Sequence, residues 1–202
     1  MTIPPVRARQ ERSRLSRRRI LDATVRVLVE RGYANTSTLR IQQEAGVSRG
    51  ALLNHFPSRD ALVVAAVQHL AAERIEDLGT RTQWSSDPAL RIAEAVDVMW
   101  ATYSQPYFWA SIELWVAARS KEELREALRP EEQATGTKVR SSTDVFFGPH
   151  LCTVPGYPMV RELLNTSMRG VAMTYAFAPR DPTTDPHVAD WKEVARRLLL
   201  GR

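Results

Sequence analysis

Apolar residues recur along this chain at three- and four-residue intervals, and nowhere do they alternate in sustained fashion between hairpin turns. That periodicity predicts helices throughout, an all-α fold. The first helix is expected from Ser16 to Arg31, burying Ile20, Ala23, Val27 and Leu28, with Gly32 just past its end. Thr36, Ser37 and Thr38 form a cluster of caps before a short second helix that carries Ile41 and Ala45 on one face. Gly46 ends that helix. Ser48 caps a third, with Val47 and Leu52 spaced as a hydrophobic staple across its first turn. Pro57 cannot continue the third helix, and Ser58 starts a long fourth from Arg59 to about Leu78.

Beyond a polar connection from Thr80 to Ser86, the pattern stays helical. Asp87 and Pro88 supply an N-cap and a first-turn proline for a helix bearing Leu90, Ala93, Val96, Met99, Trp100 and Tyr103. Pro106 opens the next, YFWASIELWVAAR. Ser120 with Glu123 reads as a capping box for a helix through Leu128, with a continuation past Pro130 and Gly136 towards Val145. The segment from Phe147 to Pro158 reads as a loop. Pro158 begins a helix with Val160, Leu163, Leu164, Met168, Val171 and Tyr175, and Ala178 to Thr184 forms a turn. Asp185 and Pro186 cap a last helix carrying Val188, Trp191, Ala195, Leu198 and Leu199.

Two short helices joined by a tight, glycine-containing turn predict a helix-turn-helix over about residues 39–58. In that geometry the second helix offers its N-terminal side chains, here Arg49, Gly50, Ala51 and Asn54, to a DNA major groove. Arg49 can bind guanine O6 and N7 with two donors or hold a phosphate, and Asn54 can read adenine by the same bidentate logic. Gly50 would let the backbone approach DNA closely. Thr38 and Arg40 begin the preceding helix, whose N-terminus favours a phosphate.

The stretch AGVSRGALLNHFPSRDAL, preceded by Thr36, Ile41 and a helix ending at Gly32, resembles the tetracycline-repressor (TetR) family of transcription regulators. The resemblance covers residues 16–76. It implies a three-helix DNA-binding head over 16–76 and a larger helical body over 80–202 that binds a small-molecule effector and dimerises through its last two helices. It further implies a sequence-specific regulator, most often a homodimeric repressor released from its operator by the effector. His55 and Arg59 match family positions that contact phosphate, although a histidine packed beside Phe56 is an equal reading of His55. Two residues depart from the family pattern. Leu53 stands where the family often has a tyrosine whose hydroxyl binds phosphate, and Gln42 stands where a small apolar residue packs.

Charge supports a polyanion partner independently. Residues 1–62 hold 12 Arg against 5 acidic residues, a net of +7, whereas residues 63–202 hold 16 basic and 18 acidic residues, a net of −2. Arg7, Arg9, Arg12, Arg14, Arg17, Arg18 and Arg19 crowd the N-terminus, opposed only by Glu11. An arm over residues 1–15, expected to be disordered without DNA, could neutralise phosphates or enter a minor groove. Its alternative is a solvated tail.

In the body, six of the 15 aromatics fall between Trp100 and Trp115. Met99, Trp100, Tyr103, Trp109, Trp115 and Met168 are the candidate lining of a pocket for a largely apolar effector, with plain core as the competing reading. Glu113, Arg119, His150, Cys152 and Asn165 are candidate polar anchors. A single cysteine excludes an internal disulfide, and the four histidines show no metal-ligand spacing. The sequence holds no phosphate loop, cofactor motif or nucleophile–base arrangement, so neither an enzyme nor a bound cofactor or metal is expected. No apolar run approaches membrane length, and a soluble cytoplasmic protein is expected. Two other classes stay open: a helical small-molecule carrier or enzyme whose basic N-terminal bundle reads no specific DNA, and a nonspecific nucleic-acid binder.

Overall fold

The computed structural model of the chain describes residues 6–79 and 83–201, with side chains from Gln10 onward except at residues 70 and 72–79. Among the described residues the elements are α1 (Val6–Asn35), α2 (Thr38–Ala45), α3 (Arg49–His55), α4 (Arg59–Gly79), α5 (Pro88–Thr102), α6 (Pro106–Ala118), α7 (Glu122–Cys152), α8 (Tyr157–Thr174), a 3-10 turn (Pro182–Thr184) and α9 (His187–Leu200). They contain no strand, so the all-α expectation holds. The chain divides into two compact units. The first comprises residues 1–73 and 106–135, the second residues 74–105 and 136–202.

Helix α1 is the spine of the first unit. Ile20, Leu21, Ala23 and Val25 pack with Ile41, Ala45, Leu52, Phe56, Leu62 and Ala66. One turn later Leu28 joins a second cluster with Val63, Val64, Val67, Ala110, Leu114, Ala118, Leu124 and Leu128. Nearly every α1 side chain from Ile20 to Leu28 is therefore buried, including Thr24, whose hydroxyl donates to the Ile20 carbonyl at 2.7 Å. The helix starts at Val6 rather than Ser16. Residues 6–15 contain no Gly or Pro, several strong helix formers, and a Glu11–Arg14 pair at 2.7 Å one turn apart. The side chains of Arg7 and Arg9, and the first residues of the connection expected at Thr80, lie outside the described residues.

In the second unit, α5, α8 and α9 pack on one another around Ile92, Val96, Met99, Trp100, Val160, Leu164, Met168 and Trp191. Trp100 lies against Trp191 at 4.9 Å between ring centroids, and its Nε1 donates to the Pro182 carbonyl at 2.7 Å.

Two boundaries differ from the sequence reading. The Ser120 hydroxyl donates back to the Ala117 carbonyl at 3.4 Å instead of capping the following helix, which begins at Glu122. Helix α7 then runs unbroken past Pro130, because Leu124 and Leu128 anchor it while the face carrying Pro130 is exposed and water can replace the missing bond. It also extends through the expected loop to Cys152. Gly148, at φ 79 and ψ 164, kinks it, and the Arg91 guanidinium donates there to the carbonyls of Val145 (2.7 Å) and Phe146. A Cβ on Gly148 would sit 3.2 Å from Arg91 Nη2.

Candidate nucleic-acid interface

The turn between α2 and α3 is built from local hydrogen bonds. Ser37 caps α2 by accepting from the Arg40 amide at 3.3 Å, and Gly46 closes it in the left-handed region at φ 62 and ψ 41. The Val47 amide returns to the Gln42 carbonyl at 3.1 Å, and Ser48 caps α3 by accepting from the Ala51 amide at 3.2 Å. Val47 packs against the cluster that buries Leu52, as a hydrophobic staple requires. With Leu52 only 1% and Phe56 4% exposed, the inward face of α3 is fixed.

Opposite that face, Arg49, Gly50, Leu53 and Asn54 are exposed together, with Ala51 and His55 half-buried beside them. Neither Arg49 nor Asn54 has a hydrogen-bond or ion-pair partner among the described residues, so their donors are free to meet a ligand. Gly50 has open space where a Cβ would lie. His55 tilts against Phe56 at 6.2 Å between ring centroids. At the start of α2, Thr38 is half-buried and Arg40 is exposed, with Arg40 Nη1 donating to the Asn35 carbonyl at 2.9 Å. Arg12, Arg14, Arg18 and Arg19 are exposed along α1, while Arg17 lies 5.3 Å over the Phe56 ring. Gln42 is half-buried rather than enclosed.

Arg59 is differently engaged. Its guanidinium donates to the carbonyls of Tyr33 and Thr36, pairs with Asp60 at 3.1 Å, and lies 4.2 Å over the Tyr33 ring. It stabilises the turn between α1 and α2. The Tyr33 hydroxyl donates to Asp60 at 2.7 Å, and burial together with that bond pushes its pKa up to about 12. Tyr33 is marked in the sequence only as an aromatic beside a helix-ending glycine, and Asp60 only as part of the quoted motif.

The six residues chosen as a pocket lining do not share one unit. Met99, Trp100 and Met168 are buried in the second unit, where the Tyr103 hydroxyl donates to the Asn165 carbonyl at 3.0 Å. Trp109 and Trp115, both half-buried on α6, belong to the first. Of the polar anchors, Glu113 accepts from the Tyr33 amide at 2.9 Å and Cys152 Sγ donates to the Asp144 carbonyl at 3.4 Å. Arg119 and His150 are exposed. Among the described residues no group of three or more His, Cys, Asp or Glu is placed to hold a metal ion, and no helix is long and apolar enough to cross a membrane.

Residues 20–66 match the family described as bacterial regulatory proteins, tetR family. Over 117 residues the chain is 31% identical to the HTH-type transcriptional regulator BetI of Brucella canis, an alignment covering 57% of this chain and 59% of BetI. It thus spans under two thirds of the length of those curated relatives. An uncharacterized HTH-type transcriptional regulator of Mycobacterium bovis is 25% identical over 178 residues, covering 86% of this chain and 89% of that protein. Among solved structures, the multidrug binding protein EbrR complexed with ethidium has a TM-score of 0.63 at 24% identity, covering 91% of this chain and 97% of EbrR. The Bacillus subtilis regulator FadR in complex with stearoyl-CoA has a TM-score of 0.60 at 16% identity, covering 91% and 98%. At these identities the structural likeness establishes the fold.

Proposed function

We propose that the chain, whose residues 20–66 match the tetR family of bacterial regulatory proteins, is a sequence-specific DNA-binding transcriptional regulator: a homodimeric cytoplasmic repressor that a small molecule releases from its operator. The observation that carries this reading is the outward face of α3. Arg49, Gly50, Leu53 and Asn54 stand exposed on a helix whose opposite side is locked by Leu52 and Phe56. A groove-reading helix needs that combination of rigid seating and uncommitted donors. Thr38 and Arg40 on α2, His55 on α3 and the arginines of α1 take the flanking phosphates. Arg59 belongs chiefly to the scaffold, because each of its three guanidinium nitrogens already donates to a backbone carbonyl or to Asp60. Leu53, having no hydroxyl, can offer only apolar contact.

Dimerisation is supported by α8. Met159, Leu163, Thr166, Gly170 and Met173 are all exposed on α8 and recur at alternating intervals of four and three, the seam of a helix that packs on another, and Phe177 continues that spacing in the turn beyond the helix. Phe177 is 93% exposed. A second copy seated there, with α9 beside it, would supply the second recognition helix for a half-site about 34 Å away along the DNA.

Effector release requires a ligand that binds the released state more tightly than the DNA-bound one. Met99, Trp100, Tyr103 and Met168 suit a largely apolar small molecule; the ethidium held by EbrR and the stearoyl-CoA held by FadR are the corresponding partners of those relatives. Trp109 and Trp115, half-buried on α6, belong to the other unit.

The test is selection of bound genomic DNA fragments by the purified protein, followed by titration of the best site with salt. A palindromic site bound at least about 10³-fold more tightly than random duplex supports the reading. Weak binding, equal for all sequences and lost at modest salt, would reduce the head to a basic surface and favour a small-molecule carrier or an enzyme.

A further inference from the structure

At Gly32 the backbone adopts φ 71 and ψ 167, which takes the next amide, that of Tyr33, out of the helical hydrogen-bond pattern. A freed amide in a part-buried position needs an acceptor. It finds one 80 residues further along the chain: Glu113 Oε2 of α6 accepts from the Tyr33 amide at 2.9 Å. The contact is close-fitted as well as polar, since a Cβ on Gly32 would lie 3.1 Å from that same oxygen.

From Tyr33 the turn leads directly into the reading head. The Thr36 hydroxyl donates to the Gly32 carbonyl at 2.8 Å, the Thr36 amide donates to the Tyr33 carbonyl at 3.3 Å, and the next residue, Ser37, caps α2. Lys121, just after α6, places Nζ 4.9 Å over the Tyr33 ring. The rest of the α6 contact is apolar, made by Ala110, Leu114 and Ala118 against Leu28, Val63, Val64 and Val67. Such packing is non-directional. A 2.9 Å hydrogen bond is directional and weakens steeply as its angle opens.

We propose that Glu113 is a positioning residue for DNA reading: its carboxylate fixes the α1–α2 turn that leads into the cap of α2. This rests on the reading of the head as an operator binder. Glu113 touches no DNA in this account; it acts through Tyr33 and the cap of α2.

The test uses the full-length protein and the operator selected by the wild type. Glu113→Met keeps the bulk and removes the acceptor, whereas Glu113→Gln keeps an acceptor oxygen. Three quantities are read: thermal midpoint, hydrogen exchange at the Tyr33 amide, and affinity for operator against random duplex. Loss of the acceptor should speed Tyr33 exchange and weaken operator binding by about tenfold, while random-duplex binding changes little and the midpoint falls by only a few degrees. Glu113→Gln should restore most of both effects. Operator binding by Glu113→Met equal to that of the wild type, or a Glu113→Gln protein as impaired as Glu113→Met, would overturn the proposal. Should Glu113→Met fail to fold, Glu113→Ala serves as the acceptor-free variant under the same criteria. A wild-type protein with no operator preference would sink the DNA-reading assignment and this inference together, whereas a selective wild type with an indifferent Glu113→Met sinks this inference alone.

Discussion

Replacing Arg59 by alanine separates scaffold from DNA contact. The truncation removes the charged donor to the Tyr33 and Thr36 carbonyls, the 3.1 Å pair with Asp60 and the guanidinium 4.2 Å over the Tyr33 ring. With 26% of the side chain exposed, water reaches part of the vacated space, so each carbonyl bond is worth about 1 kcal/mol rather than the upper range for charged donors. The stacking adds about 0.5–1 kcal/mol. The ion pair, part-exposed on both sides, adds no more than about 0.5 kcal/mol. Together these give a loss of about 3 kcal/mol, a large fraction of the 5–15 kcal/mol typical of a folded domain. Urea unfolding followed by far-UV circular dichroism reads it directly, and operator titration of the same samples reads function. Arg59→Lys, which keeps the charge but not the fork, should recover less than half. A loss below about 1 kcal/mol accompanied by a large fall in operator affinity would refute the reasoning, because Arg59 would then be a phosphate ligand rather than a brace.

Further outcomes follow from the same geometry. Arg49→Ala should leave stability within about 0.5 kcal/mol and cost about 1–3 kcal/mol of operator affinity, measured by unfolding and by duplex titration. Gly32→Ala forces an L-residue to φ 71 and drives its Cβ to 3.1 Å from Glu113 Oε2; a stability loss of about 2–4 kcal/mol is expected in urea. Burial pushes the Asp185 carboxyl up, but its hydrogen bonds from Tyr175 (2.6 Å) and His187 (2.7 and 2.9 Å) outweigh this and hold it below the usual carboxylate range. Its folded pKa lies below its unfolded one, so it stabilises the fold above about pH 4 and that contribution disappears as pH falls through the folded value. Asp185→Asn should flatten the acid limb of a stability–pH curve below about pH 4, where the wild type loses its advantage. Leu163→Glu, on the exposed seam of α8, should shift a dimer to monomers in sedimentation velocity while the monomer keeps its helicity.

Much of the head was legible because its signals are local. Ser37, Gly46, Ser48 and Pro57 act on amides and carbonyls within three or four residues of themselves, so their positions in the sequence determine where α2 and α3 begin and end. The apolar period put Ile41 and Ala45 on one face, the staple pattern turned Leu52 inward with Val47, and Arg49 and Asn54 were left outward; the structure buries Ile41, Ala45 and Leu52 and exposes Arg49 and Asn54. The same locality explains the errors. Ser120 and Glu123 match a capping box, but the Ser120 hydroxyl had a nearer acceptor in the Ala117 carbonyl. Pro130 and Gly148 read as breaks, yet Leu124 and Leu128 held the helix across the first and Arg91 satisfied the carbonyls before the second.

Partners that lie far apart in sequence were set by packing. No periodicity tells that Glu113 meets the Tyr33 amide, that Arg59 turns inward to two carbonyls, or that Trp109 and Trp115 pack in a different unit from Trp100 and Met168. A cap or a glycine turn draws on neighbours the chain already holds close, whereas a freed amide or a guanidinium takes whichever group the packed helices bring within 3 Å. Local signals in the sequence determined α2, α3 and the face that α3 leaves open; long-range packing carried α7 past its expected breaks and determined which charged residues remain free to bind and which are spent on holding the head in place.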